Sequence, residues 1–221
     1  MSRSRSGNPN TQKKWDYLLR TKKDDLFGSS IYQHKNNIVV KLLDDIRGKV
    51  LDIGVGYGYI EEIVKKKLLP LEFFGIDISK YSVDQMRRKY GDRYRLGVAT
   101  NIPFKKNTFD CILLLDVIEH ITKDDASKVY SEVRRVLKPN GYLILSVPIN
   151  EPKKDTVANY HLRKYTENTI EEEIVNNGFK IIRMKELYAF KTHYWLKSQI
   201  TNFFPGILNK KPNLAIIKAR V

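Results

Sequence analysis

Two hydrophobic periods alternate along this chain. From Trp15 to Asp45 two helical patterns run, and in the second Ile31, His34, Ile38, Val39, Leu42, Leu43 and Ile46 recur at helical spacing. The texture then changes. Residues 50–53 are a short apolar run that ends in glycine-rich sequence, 60–69 read as helix and 72–78 as strand. Residues 80–90 read as a charged helix and 94–98 as a weak strand. The continuous apolar run at 110–115 suits a strand buried on both faces. An amphipathic helix over 126–137 stops at Lys138-Pro139-Asn140-Gly141, and 142–147 is the next strand, followed by a loop through about residue 164. Residues 167–177 predict a helix stopped by Gly178, and 179–188 and 214–219 close the chain as strands.

Strands alternating with helices of this length predict an α/β fold, a mostly parallel sheet covered by helices on both faces. No repeat or linker divides it. Residues 1–14 are polar and basic and read as a flexible tail, and 15–221 as a single domain. That domain carries a helical N-terminal extension at 15–47 and an aromatic, basic insertion at about 189–211.

Charge adds a second layer. The 221 residues hold 40 Lys and Arg against 25 Asp and Glu, for +15. The middle of the chain is nearly balanced, whereas both flanks are basic; beyond Ile174 the only acid is Glu186. Such an excess attracts an anionic partner, a membrane surface or RNA, or is simply a solvated surface. No apolar run reaches the roughly 20 residues that span a bilayer, and the start lacks the apolar core of a secretory signal. One cysteine, Cys111, excludes an internal disulfide and a cysteine-rich zinc site. These features predict a cytoplasmic protein, in one reading peripheral to a membrane.

The chemistry begins at Asp52-Ile53-Gly54-Val55-Gly56-Tyr57-Gly58. A strand delivers an acid to its C-terminal end, and three alternating glycines then turn the chain into a helix. Glycine tolerates positive φ and lets a ligand approach bare backbone. Asp77 ends the second strand, where a carboxylate accepts hydrogen bonds from two ribose hydroxyls. A dinucleotide site would favour G-x-G-x-x-G facing a pyrophosphate. Here the acid at Asp52 opposes a pyrophosphate and suits an ammonium and a sulfonium. The ligand so described is S-adenosylmethionine.

At this point the sequence resembles a family, the class I S-adenosylmethionine-dependent methyltransferases, over roughly residues 45–180. It is most similar to the branch containing the ubiquinone- and menaquinone-biosynthesis enzymes. The glycine loop matches the family's first motif, and Asp77 its ribose-binding acid, followed by Ile78. Ala99-Thr100-Asn101-Ile102-Pro103-Phe104, the run from Phe109 to His120, and Leu137-Lys138-Pro139-Asn140-Gly141 match three more in order. The resemblance implies a Rossmann-like sheet of seven strands, with one antiparallel reversal in the last two. It also implies cofactor contacts from Asp52, Gly54, Gly56, Gly58, Asp77, Ile78, Ala99 and Thr100, with Leu115 and Asp116 beside the methionine moiety. One position departs: the family commonly places an aspartate where Val98 stands, which leaves backbone at Ala99 and Thr100 to read the adenine edge.

Methyl transfer from a sulfonium is an in-line displacement, so an oxygen or carbon acceptor needs chiefly alignment and deprotonation. His120, His161 and Glu119 are the candidate bases, with His120 and His161 placed first as catalytic; each histidine has a structural hydrogen-bonding role as its alternative. Asp116-Val117-Ile118-Glu119 replaces the acid–proline–proline–aromatic run of nucleic-acid amino methyltransferases. No HxxxH, cysteine cluster or paired carboxylates point to a metal, which disfavours catechol-type transfer. The aromatic and lysine-rich stretch at 188–197 favours a large hydrophobic or membrane-borne acceptor, and the chain as a whole reads as an enzyme for a small-molecule, hydrophobic or lipid-like one. The alternatives are an RNA- or protein-directed methyltransferase that uses the basic surface, and a binding module without catalysis.

Overall fold

The computed structural model describes residues 8–21, 30–188 and 211–221. The expected insertion at 189–211 lies, but for its last residue, outside the described residues. Seven strands form one sheet in the order β3-β2-β1-β4-β5-β7-β6. They are β1 (Gly48–Ile53), β2 (Leu71–Asp77), β3 (Tyr94–Leu96), β4 (Phe109–Leu115), β5 (Leu137–Pro148), β6 (Lys180–Leu187) and β7 (Leu214–Arg220). Every pairing is parallel except those of β7, which runs antiparallel to both β5 and β6. The chain order reverses between β1 and β4, so the C-terminal ends of these strands open the crevice in which α/β sheets hold ligands.

The helices are α1 (Gln12–Thr21), α2 (Ser30–Leu42), α3 (Tyr59–Lys66), α4 (Lys80–Tyr90), α5 (Lys123–Val136), α6 (Lys153–Ala158) and α7 (Glu167–Asn176). One apolar cluster unites α5 and α7 with one face of the sheet through Tyr130, Val133, Ile170 and Ile174. A second joins α2 and α3 to the opposite face through Val39, Leu42, Ile60 and Val64. Leu113 lies in the second and Ile112 and Leu114 in the first, so β4 is apolar without interruption from Cys111 to Leu115 because successive side chains enter different cores. Among the described residues no helix is long and apolar enough to cross a membrane.

Local chemistry explains the element ends. Thr122 caps α5 by accepting from Asp125 N, with Asp124 and Asp125 in the positive first turn. Thr166 and Thr169 close a reciprocal box at the start of α7, and Gly178 ends it at φ 82°. Two boundaries differ from expectation. β5 starts at Leu137 rather than at 142, because Pro139 and Asn140 (φ 62°) are absorbed by a register shift opposite Phe109 and Cys111. The segment expected to be loop through 164 contains α6, a single short helix whose only buried residue is Thr156. So little apolar surface gives no periodic signal.

Candidate active site

The crevice is built first by the glycine loop. Gly54, Gly56 and Gly58 all adopt positive φ, at 79°, 55° and 71°. A Cβ at Gly54 would stand 2.6 Å from Val117 Cγ2, whereas one at Gly56 would meet nothing closer than 3.9 Å. Gly54 is therefore required by packing and backbone alike. Gly56 leaves its Cα face open, as a cradle for a ligand requires.

Beneath the loop lie three buried acids. Asp77 Oδ2 accepts from Gly56 N at 2.9 Å and Oδ1 from Ser79 N at 2.7 Å. Burial raises its pKa, against the lowering effect of those two N–H groups. Asp52, at the end of β1, is pushed up to about 7 by burial and then by the Asp77 charge. Glu61, in the first turn of α3, has both carboxylate oxygens buried without a hydrogen-bond partner, and burial followed by the Asp52 charge raises it well above the usual range. A neighbourhood so rich in buried carboxylate favours a cationic ligand. An open cavity of about 350 Å³ lies past the ends of β2 and β3, lined by Ile78, Leu96, Gly97, Val98, Asn101 and Pro103, with Gln12 of α1. Val98 and Asn101 close a tight turn, Asn101 N donating to Val98 O at 3.0 Å, with Ala99 and Thr100 between them.

At the far end of the crevice Asp116 takes φ 54°, unusual for an aspartate. Its Oδ1 accepts from Ser146 Oγ at 2.7 Å, and Oδ2 is ion-paired with Lys35 Nζ. Burial alone would raise Asp116; the lysine overcomes this and holds it below the ordinary value. Leu115 precedes it, half-buried against the α2 core. Lys35 was not singled out from the sequence, although a signal exists. It lies four residues before Val39 and seven before Leu42, on the apolar face of α2, where a lysine is out of place unless it has a partner.

Helix α1 spans both ends. Asp16 Oδ1 accepts from Ser79 Oγ and Tyr81 N, and Leu19 O accepts from the Tyr57 hydroxyl. Trp15 meets the His120 ring edge-on at 5.0 Å.

The structure brings the three candidate bases together. A single 3-10 turn, Ile118–His120, follows β4, and Leu162 N and Arg163 N both donate to Glu119 O, which stitches the 160–163 loop to it. The His120 and His161 rings lie 4.8 Å apart. Glu119 is buried, 1% exposed, and burial followed by the Asp116 charge raises its pKa well above the usual range. Burial and then His161 pull His120 down to about 4, so at neutral pH its ring is neutral and only a weak base.

The Asp52 shift carries a testable sign. In the protonated form it favours the unliganded protein below about pH 7, and a cationic ligand favours the carboxylate. Cofactor affinity is therefore expected to rise with pH, by up to about tenfold per unit below 7, and then level off. The same group stabilises the unliganded fold fully below its unfolded value, and loses that contribution as pH rises towards 7. Calorimetric titration in buffers of different ionisation enthalpy should show proton release near neutrality. A flat affinity from pH 6 to 8 would contradict it.

Comparison with known proteins gives a consistent picture. A family model described as a methyltransferase domain matches residues 51–145. An uncharacterized protein of Methanocaldococcus jannaschii is 31% identical over 175 residues, covering 76% of this chain and 65% of that protein. The ubiquinone/menaquinone biosynthesis C-methyltransferase UbiE of Desulfotalea psychrophila is 31% identical over 107 residues, 47% of this chain and 43% of its own. The chain thus spans less than two thirds of the length of either relative. Among solved structures, the N-methyltransferase NodS of Bradyrhizobium japonicum with S-adenosyl-L-homocysteine superimposes with a TM-score of 0.71 at 11% identity, covering 96% and 98% of the two chains.

Proposed function

Because the chain belongs to the class I S-adenosylmethionine-dependent methyltransferases, related to the ubiquinone/menaquinone C-methyltransferase branch, we propose that it methylates an oxygen or carbon of a small, hydrophobic or lipid-like acceptor. The observation that carries this reading is the buried Asp52–Asp77 pair beneath three left-handed glycines, with an open cavity lined by Ile78, Leu96 and Val98 beyond the end of β2. Asp77 would take the ribose hydroxyls, and Ile78, with the turn at Ala99 and Thr100, the adenine. Gly54, Gly56 and Gly58 admit the chain of the cofactor.

The methionine end is zwitterionic, and so is the protein opposite it. Lys35 and Asp116 offer a buried cation and anion that can exchange partners with the cofactor's carboxylate and ammonium, while Asp52 and Leu115 flank them. In the reaction the methyl carbon leaves sulfur and bonds to the acceptor atom, and S-adenosylhomocysteine remains. His120 and His161, with Trp15 and Tyr160 around them, would orient the acceptor, His120 chiefly by contact because it is a weak base and His161 as the candidate to receive the proton. The aromatic surroundings and the quinone-pathway name of one relative favour an acceptor with a ring or lipid character.

The test is transfer of a labelled methyl group from S-adenosylmethionine to phenolic, quinol and fatty acceptors presented in detergent, together with bulk RNA and protein. Label in the organic-soluble product is expected. Label confined to RNA or protein would replace this reading with the macromolecular one. Absence of S-adenosylmethionine and S-adenosylhomocysteine binding would overturn both.

A further inference from the structure

Three lone-pair donors converge on one point beyond the end of β4. The ligating atoms of Glu119, His120 and His161 all lie within 4.8 Å of one another. Hydrogen bonds fix which ring nitrogens face inward. His120 Nδ1 is 3.2 Å from the Tyr160 carbonyl oxygen, which can only accept, so Nδ1 carries the proton and Nε2 the lone pair. His161 Nδ1 lies 2.7 Å from Glu151 Oε2, and Asn159 Nδ2 donates to Glu151 Oε1 at 2.9 Å, which holds that carboxylate in place. His161 therefore also turns Nε2 inward, 4.0 Å from Glu119 Oε1. Both oxygens of Glu119 are buried and neither has a hydrogen-bond donor. A buried carboxylate without a donor, faced by a second lone pair, is costly as the anion unless it takes up a proton or a metal cation sits between them.

We propose that Glu119, His120 and His161 form a binding site for a divalent first-row cation. An imidazole backed by a carbonyl or carboxylate on its other nitrogen is the usual support of a metal ligand, and both histidines have one. Two imidazoles and one carboxylate suit zinc, cobalt, iron or manganese, whereas magnesium and calcium prefer oxygen alone. Ligands about 2.1 Å from a common ion stand roughly 3–3.5 Å apart, so a small side-chain rotation closes the site. Three protein ligands leave coordination positions open. On the methyl-transfer reading, one of these would take an acceptor hydroxyl; with both histidines then held by the metal, the O–H proton passes to water instead of to them, the oxygen bonds the methyl carbon, and the carbon–sulfur bond breaks.

Chelator-treated full-length protein titrated with Co²⁺ alone, followed by visible absorption and by Zn²⁺ competition, tests the site without any acceptor. One equivalent per chain is expected. Supporting groups are worth about 10–100-fold in affinity, so Glu151→Gln should weaken binding within that range, and the ligand changes Glu119→Gln and His161→Gln by more. His34→Gln, on α2, should change nothing. Calorimetry with S-adenosylhomocysteine on the same samples separates the two readings: cofactor binding without a cobalt spectrum overturns the metal site alone, and a spectrum without cofactor binding leaves the metal site standing and removes the methyl-transfer reading. A spectrum that persists in folded Glu119→Gln, which is nearly isosteric and guards against misfolding in the histidine variants, also overturns the site.

Discussion

Asp77→Ala is expected to reduce S-adenosylhomocysteine affinity by more than about 100-fold while the protein remains folded. Two ribose hydroxyls donating to a carboxylate are charge-assisted hydrogen bonds, worth about 1.5–3 kcal/mol each, so their joint loss removes about 3–6 kcal/mol. The Gly56 and Ser79 N–H groups lose their acceptor as well, which slackens the glycine loop. The fold should tolerate this. Burial raises the Asp77 pKa, so the carboxylate is held at a cost to the unliganded fold at neutral pH, and its removal offsets the two lost hydrogen bonds. Calorimetric titration alongside thermal melting distinguishes the outcomes. A loss below about tenfold, in a protein that melts as the parent does, would remove the ribose contact from Asp77.

The glycine loop and Asp77 were legible in the sequence because a strand, a turn and a strand end are local patterns whose chemistry depends on neighbours close in the chain. The same is true of β4, whose uninterrupted apolar run reports burial on both faces. Lys35 was hidden for the opposite reason. Its partner Asp116 is 81 residues away, and a lone lysine in an apolar helical stripe becomes informative only once its ion pair is visible. The Glu119, His120 and His161 constellation is similar: spacing rules for metal ligands find residues on one helix or hairpin, and His161 arrives on a loop stitched to the Glu119 carbonyl. Glu61 carries no signal of its own: a first-turn acid of α3 is expected to face solvent, and only the fold shows that both of its oxygens are buried. Local pattern therefore revealed the glycine loop and the acid beneath it, and long-range pairing decided how the remaining polar groups are partnered.

Lys35→Met should be the most damaging single change to stability in the crevice. Breaking a buried ion pair by removing one partner costs about 3–5 kcal/mol, because the other charge is left uncompensated. Asp116 retains 26% of its side-chain exposure and the Ser146 hydroxyl, so the lower end, about 3 kcal/mol, applies. For a chain of this size that corresponds to a fall of roughly 6–12 °C in melting temperature. The Asp116 pKa should rise, since Lys35 is what holds it down against burial. The double variant Lys35→Met with Asp116→Asn removes the stranded charge and should regain most of the lost stability, as apolar or neutral replacements of buried pairs commonly do. Cofactor affinity should not return with it, because the methionine carboxylate and ammonium would still lack their counter-charges. Denaturant unfolding and calorimetry on the three proteins decide the matter. If the double variant binds S-adenosylmethionine like the parent, the pair serves the fold alone. If it is stable and does not bind, the buried charges are kept for the zwitterion they receive, at a stability cost the core on both faces of the sheet can carry.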